Sequence, residues 1–347
     1  MASGWAEHPG GRHHGGVVSE RPLLDFSQNI NPLGTPSRAL EAARRALDEE
    51  SDRYPDLRYT RLRGALGEYL GVPPANVVPT NGGAEALFLA SGSAGNPGKA
   101  LILEPTFSEY AAAARAAGFE PARRVARRPH DRFRVDLAAL EELEGVTLVF
   151  LCNPNNPTGD ALSRAEVLEI AERVRERDAT LVVDEAFADF APETSVAADV
   201  DEHLCVARSL TKFFAIPGLR LGCLVCADPS RAQSFQPSWS VNAVAAAAGL
   251  AAVSDRDFVD TSVAEVRRLR AQLFESLGAL PGITTFPGTA NFLLVRGPEE
   301  LPARLIRRGV VVRGCEPFAG LGPGYFRVAV RGEAQNERLL AAIREEL

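Results

Sequence analysis

The sequence predicts an α/β protein, with a large domain built on a mostly parallel sheet between helices and a smaller C-terminal α/β domain. Three observations carry that expectation. Runs with almost no polar residue, such as Val146-Thr147-Leu148-Val149-Phe150-Leu151 and Thr180-Leu181-Val182-Val183, read as strands buried on both faces. Segments with helical apolar spacing alternate with them, as in sheets covered on both sides. A length of 347 residues with 46% hydrophobic composition suffices for one large core and a second, smaller one.

In chain order, residues 1–35 read as an N-terminal arm. Its first 20 positions are rich in Gly and His without apolar periodicity, which predicts a flexible segment. Leu23-Leu24-Asp25-Phe26-Ser27 is a short strand running into Asn29-Ile30-Asn31-Pro32-Leu33-Gly34, a loop dense in turn formers. The large domain is expected over 36–250. Ser37 caps a helix through Leu47, and a second helix at 59–70 aligns Leu62, Leu66 and Leu70. Val77-Val78-Pro79-Thr80 precedes a glycine turn, Asn81-Gly82-Gly83-Ala84, that opens a helix. Free backbone N–H groups at such a start form an anion site. Strands at 100–103, 146–151, 180–183, 204–209 and 221–226 follow, with helices at 163–177 and 235–253. The small domain, 251–347, opens with a charged helix at 257–277. It adds strands at 290–295, 309–312 and 325–330 and closes on an amphipathic helix at 335–347.

Composition narrows the function. A net charge of −7 and the absence of a basic stripe with interleaved aromatics argue against a nucleic-acid partner. The densest basic patch, Arg123 to Arg132, reads as a solvated face or loop. Five cysteines, an odd count without ladder spacing, fit a reducing compartment. Cys223 and Cys226 form a C-x-x-C on an expected strand, where positions three apart face opposite sides, so they read as core residues and no metal site is expected. Neither a signal peptide nor a membrane-spanning run is visible, and the expected location is cytoplasmic.

The chemistry concentrates in Ser209-Leu210-Thr211-Lys212-Phe213-Phe214-Ala215-Ile216-Pro217-Gly218-Leu219-Arg220. A lysine in apolar surroundings can lose its proton and act as a nucleophilic amine. Ser209, Thr211 and Arg220 supply two hydroxyls and a fixed cation, which suit a phosphate monoester. Pyridoxal 5′-phosphate is an aldehyde with such a phosphate. Taken alone, the window is equally compatible with a surface lysine beside a basic strand. Asn156, Asp184 and Lys212 all lie just past expected strand ends, the edge where α/β sheets place their chemistry.

Asn155-Asn156-Pro157-Thr158-Gly159, Asp184-x-Ala186-Phe187 and Ser209-x-x-Lys212 with Arg220 together resemble the aspartate aminotransferase superfamily, the fold type I pyridoxal-phosphate enzymes. The resemblance implies that Lys212 forms the internal aldimine and shuttles protons, and that Asp184 keeps the pyridinium nitrogen protonated. It implies that Asn156 binds the ring's 3′-oxygen and that Phe107 stacks on the ring. Gly83, Ala84, Ser209, Thr211 and Arg220 would hold the phosphate. Tyr54 would reach the phosphate of a neighbouring subunit, in a homodimer with shared active sites. Arg327 matches the arginine that binds a substrate α-carboxylate. Phe187 departs from the tyrosine that many transaminases carry.

Within the superfamily, two branches share the Asn-rich N-terminal loop. The chain resembles the L-threonine-O-3-phosphate decarboxylases of cobalamin synthesis more than the histidinol-phosphate aminotransferases. His14-Gly15-Gly16, the 24–34 loop, Arg53-Tyr54-Pro55-Asp56, Trp239-Ser240-Val241-Asn242 and Phe326-Arg327-Val328-Ala329-Val330-Arg331 carry that preference. Phe187 is typical of the decarboxylases. For a phosphorylated substrate the second anion needs its own cations, and Arg327 and Arg331 are the candidates, with His14 and the Asn31 loop closing over them.

Overall fold

The structure, a computed structural model, describes residues 5–8, 12–17, 23–125 and 144–347. Strands β1 (Trp5–His8) and β2 (Arg12–Val17) form an antiparallel hairpin, where the composition predicts a flexible arm. A ladder of backbone hydrogen bonds needs no apolar alternation, which is why composition does not reveal it. Strand β3 (Leu24–Asp25) leads to helices α1 (Ser37–Glu50) and α2 (Thr60–Leu70), then to β4 (Val77–Thr80) and α3 (Gly82–Ser93). Ser37 is the first helical residue of α1 rather than its cap, a place that Pro36 takes. Next come β5 (Lys99–Glu104), α4 (Glu109–Ala116), β6 (Glu120–Val125) and β7 (Val146–Cys152). Helix α5 (Arg164–Arg175) begins with a capping box between Ser163 and Glu166, and β8 (Thr180–Asp184) and β9 (Leu204–Ser209) follow. The short helix α6 (Leu210–Phe213) carries Lys212, and β10 (Gly222–Val225) turns back beside β9.

The main sheet has the order β4-β10-β9-β8-β7-β5-β6, parallel except for β10, which is antiparallel to both its neighbours. Its central strands are buried on both faces, as their apolar runs require. Val149, Leu181, Val206 and Cys223 point into one core, while Phe150, Val182, Cys205 and Cys226 point into the other. Cys223 and Cys226 thus face opposite sides, and all five cysteines are buried and unpaired. The edge strand β6 escapes sequence reading because Glu120-Pro121-Ala122-Arg123-Arg124 has the charge and proline of a protected edge. Arg123 and Arg124 lie on it, and residues 126–132 of that basic run lie outside the described residues.

Helix α7 (Pro229–Gln233) falls outside the expected elements, and of the helix expected over 235–253 only α8 (Ala243–Val253) forms. Pro237 has no N–H to continue a helix, and Asn242 caps a new one by accepting from the Ala245 N–H at 2.8 Å. The long α9 (Arg256–Gly278) lays Leu269, Leu273 and Leu277 on a second sheet. That sheet orders as β11 (Thr284–Thr285), β12 (Phe292–Arg296), β15 (Tyr325–Ala329) and β14 (Arg313–Gly314), all antiparallel. The expected strand at 309–312 is divided: β13 (Val310–Val311) pairs in parallel with β3, and β14 pairs with β15. Helices α10 (Leu301–Arg307), which sequence reading missed, and α11 (Glu333–Glu346) cover the sheet. Among the described residues no helix is long and apolar enough to cross a membrane, and no group of three or more His, Cys, Asp or Glu could hold a metal ion.

One ion network crosses the main core. Arg208 donates to Glu185 Oε2 at 2.7 Å and to Asp189 Oδ1, all three being buried. Ser195 Oγ (2.6 Å) and the Val196 N–H (2.7 Å) also donate to Glu185, and Tyr69 Oη donates to Asp189 at 2.7 Å. Removing Arg208 alone leaves two buried carboxylates without a counter-charge. Arg208→Met is expected to cost about 3–5 kcal/mol, seen as a lowered denaturant midpoint.

Candidate active site

The sequence brings the ends of β5, β7, β8 and β9 to one edge, and a cavity of about 330 Å³ opens there. Glu104, Cys152, Asp184 and Ser209 are the terminal residues of those four strands, and each lines it. Gly83 and Ala84 enter from the start of α3, and Thr211, Lys212 and Arg220 from the segment after β9. The N-terminal loop contributes Ser27 to Ile30, and the small sheet contributes Arg313 and Arg327. Phe107, Asn156 and Phe187 complete the set of expected residues in the lining.

Lys212 is half-buried, and its amine is pushed down to about 8 by burial, with Arg327 and Arg220 adding to the effect and Asp184 opposing it. That is the condition under which a lysine supplies a neutral amine near neutral pH. Asp184 is buried at the cavity floor. Burial raises its carboxyl above the ordinary range, opposed by hydrogen bonds from Tyr110 and from the Ala186 N–H, 2.9 Å from Oδ1. Asn156 Oδ1 accepts from Arg327 Nη1, and Arg327 Nη2 donates to the Ser27 carbonyl at 2.8 Å. Arg327 lies 5.3 Å from the Phe292 ring centre, and burial pushes its guanidinium down to about 10.

The phosphate cradle rests on close approach. Ser209 Oγ and Thr211 Oγ1 lie 2.8 Å apart beside the start of α3. Gly82 has φ +79°, and a Cβ there would sit 2.6 Å from Arg220 Nη2. A side chain at this position would displace the arginine, so glycine is required by both backbone and space. A half-buried lysine with a depressed amine, a buried carboxylate and an N–H-rich cradle with two hydroxyls and an arginine, all on one cavity, fit pyridoxal 5′-phosphate.

Four expected residues stand outside the lining. Arg331 spends its guanidinium on backbone carbonyls: Asp25 at 2.8 Å, Gln28 at 3.0 Å and Ile30 at 3.3 Å. It holds the loop whose Ser27 to Ile30 face the cavity, rather than facing the cavity itself. Asn31 is buried, donating to the Phe213 carbonyl (2.8 Å) and Ser262 Oγ (2.9 Å), while its N–H reaches the Lys212 carbonyl at 3.0 Å. Tyr54 is 77% exposed and stacks on Trp239 with ring centres 4.4 Å apart. His14 falls on β2, and its side chain lies outside the described residues.

The structure adds residues that sequence reading missed. Arg313 lies opposite Arg327 across β14 and β15, is 3% exposed and lines the cavity. A lone arginine directly after three valines was the available signal. Arg123 also lines the cavity, 3.6 Å from Glu104. Tyr110, in the first turn of α4 and close after Phe107, donates to Asp184 Oδ2 at 2.8 Å.

Comparison with known proteins places this geometry. The family description "Aminotransferase class I and II" matches residues 21–343. Threonine-phosphate decarboxylase from Salmonella typhimurium is 42% identical over 344 residues, 95% of this chain and 93% of that protein. The adenosylcobalamin biosynthesis bifunctional protein of Leptospira interrogans is 32% identical over 355 residues, 95% of this chain and 40% of that protein. Among solved structures, histidinol-phosphate aminotransferase from Clostridium acetobutylicum superposes with TM-score 0.86 at 28% identity, covering 93% of this chain and 99% of that one.

The depressed Lys212 amine has a direct readout. In cofactor-free protein, acylation of Lys212 followed by peptide mass spectrometry is expected to rise through a midpoint near pH 8. In Arg327→Met, the cation that disfavours the ammonium is gone, so the midpoint moves up toward the ordinary lysine value of about 10.4.

Proposed function

Because the chain belongs to the class I and II aminotransferase family and works with pyridoxal 5′-phosphate, we propose that it decarboxylates L-threonine O-3-phosphate to (R)-1-amino-2-propanol O-2-phosphate, for cobalamin synthesis. The observation that carries this reading is a single cavity lined by more cations than the cofactor phosphate needs. Arg220 lines it with Gly83 and Ala84 of the α3 start, and so does the buried, cross-strand pair Arg313 and Arg327. A phosphorylated amino acid brings two anions, a carboxylate and a phosphate, and two arginines answer them. The 42% identity to a threonine-phosphate decarboxylase supports the same substrate.

Bound pyridoxal phosphate supplies an electron sink that weakens the Cα bond standing perpendicular to its ring. The chain's residues divide the remaining work. Lys212 carries the amine that captures the cofactor and later holds or returns a proton at Nζ. Asp184 keeps a proton on the ring nitrogen, and Asn156 donates to the ring oxygen. Phe187, buried and edge-on to Phe292 at 5.0 Å, offers no hydroxyl to that oxygen. Arg327 orients the substrate carboxylate, and Arg313 takes the substrate phosphate in place of Arg331. Ser27 to Ile30, held by Arg331, narrow the entrance against water.

We infer a homodimer as well. Tyr54, Leu57, Phe235 and Trp239 are apolar side chains exposed by 77%, 57%, 56% and 42%. A second copy that covers them would bring Tyr54 to its phosphate cradle. Five buried, unpaired cysteines support a reducing, cytoplasmic setting.

The TM-score of 0.86 to a histidinol-phosphate aminotransferase favours a second reading, transamination with 2-oxoglutarate as acceptor. Incubation with L-threonine phosphate, and separately with L-histidinol phosphate plus 2-oxoglutarate, separates the two. Release of CO₂ from the first without a keto acid is the expected result; glutamate from the second without CO₂ from the first would replace the decarboxylase with the aminotransferase. Arg313→Met is expected to raise KM for the phosphorylated substrate about 10- to 100-fold, the loss of one or two charged hydrogen bonds. The unphosphorylated analogue should lose far less, and an equal loss on both would remove Arg313 from the phosphate site.

A further inference from the structure

Asp184 sits in surroundings that oppose its charge. It is buried, and Glu185, the next residue, carries a like charge. The groups facing its side chain are Tyr110 from α4, Cys152 from the end of β7 and Lys212 from α6. Its Oδ1 accepts from the Ala186 N–H at 2.9 Å, and its Oδ2 accepts from Tyr110 Oη at 2.8 Å. Each carboxylate oxygen therefore holds one fixed donor.

Tyr110 has no freedom to leave. It is fully buried, stacked on Phe150 at 5.1 Å and 9°, and edge-on to Phe107 at 5.9 Å and 83°. Burial and the adjacent carboxylate push its phenol well above the ordinary range, so it stays protonated and acts toward Asp184 only as a donor. Burial likewise keeps the Cys152 thiol neutral, and it donates to the Pro154 carbonyl at 3.4 Å. Cys152 thus brings no charge that could substitute for the phenol. A carboxylate this buried keeps its charge through its hydrogen bonds, and the one from Tyr110 opposes burial most strongly.

We propose that Tyr110 is a positioning residue for the reaction, its hydroxyl holding Asp184 ionised and aimed so that the ring nitrogen of the bound cofactor keeps its proton. The proposal rests on the reading of Asp184 as the partner of that nitrogen. Without the phenol the carboxylate becomes a stronger base and draws the shared proton toward itself. The ring then withdraws electrons less, and the Lys212 nitrogen joined to the cofactor becomes more basic. A tyrosine that merely filled space would change stability and leave that basicity alone.

The test is a pH titration of the visible absorption of the cofactor-loaded protein. Tyr110→Phe is expected to raise the midpoint by roughly half a pH unit or more, with Asp184→Asn moving it further in the same direction. Cofactor-free Tyr110→Phe should stay folded, with a melting temperature lowered only by the loss of one buried, charge-assisted hydrogen bond. 3-Fluorotyrosine at position 110, a stronger donor of nearly the same size, should lower the midpoint. A Tyr110→Phe midpoint equal to the unaltered one would overturn the proposal, and so would an unmoved midpoint with fluorotyrosine if the phenylalanine variant fails to fold. Loss of the visible band and of borohydride labelling at Lys212 in the unaltered protein would instead overturn the cofactor reading beneath it.

Discussion

Arg208 cannot leave its place without stranding two carboxylates, and this constraint reaches the cavity because its chain neighbours line it. Ser209 follows Arg208, and Asp184 precedes Glu185. Along a strand successive side chains point to opposite faces, so Arg208 and Glu185 join behind the sheet while Ser209 and Asp184 face the cavity. The Glu185 N–H donates to the Ala207 carbonyl at 2.9 Å, extending the β8–β9 ladder past Asp184. The ion network therefore locks the register of two strands at the point where their last residues must act together. Its acceptors are filled by Ser195, Val196 and Tyr69 as well as by Arg208, which is the condition for a buried charge cluster to be tolerated.

Most of this architecture was legible because period and burial leave a direct trace. Parallel strands buried on both faces wrote themselves as Val146–Leu151 and Thr180–Val183, and strand ends located Asn156, Asp184 and Lys212 together. What escaped was set by partners far away in sequence. Arg331 and Arg327 are close neighbours in the chain, and sequence gives both the same cationic character. Only the fold turns Arg331 onto the carbonyls of Asp25, Gln28 and Ile30 and places Arg327 in the cavity. Arg313 became visible only through its register opposite Arg327. Tyr110 reads as one more core aromatic until its hydroxyl is found on Asp184.

Two guanidiniums directly opposite each other on neighbouring strands repel, and burial deepens the cost. Such a pair is poor design for stability and good design for gathering anions. The same positive field acts on Lys212, whose amine is depressed after burial first by Arg327 and then by Arg220. If these arginines receive the substrate's anions, as proposed, anion capture and amine activation are coupled. Before substrate arrives the cations favour a neutral lysine, the form that attacks a carbonyl. Once anions neutralise the arginines, that pressure relaxes and Nζ more readily holds a proton.

The coupling bears on which bond the site is built to break. Transamination asks the lysine to carry a proton from one carbon to another, and a tyrosine hydroxyl on the ring oxygen helps tune that transfer. At position 187 this chain has phenylalanine, packed edge-on against Phe292, so on the proposed reading the ring oxygen would be left to Asn156. Asn156 in turn is held by Arg327, the residue assigned to the substrate carboxylate. On the proposed reading, one arginine would touch both the residue that grips the cofactor ring and the substrate carboxylate, and its planar fork would help set the angle between them. Loss of CO₂ depends on that angle, because the carboxylate must stand perpendicular to the ring. If, as proposed, both grips run through Arg327 and the substrate phosphate goes to Arg313, the site has the means to hold the carboxylate up rather than the Cα–H.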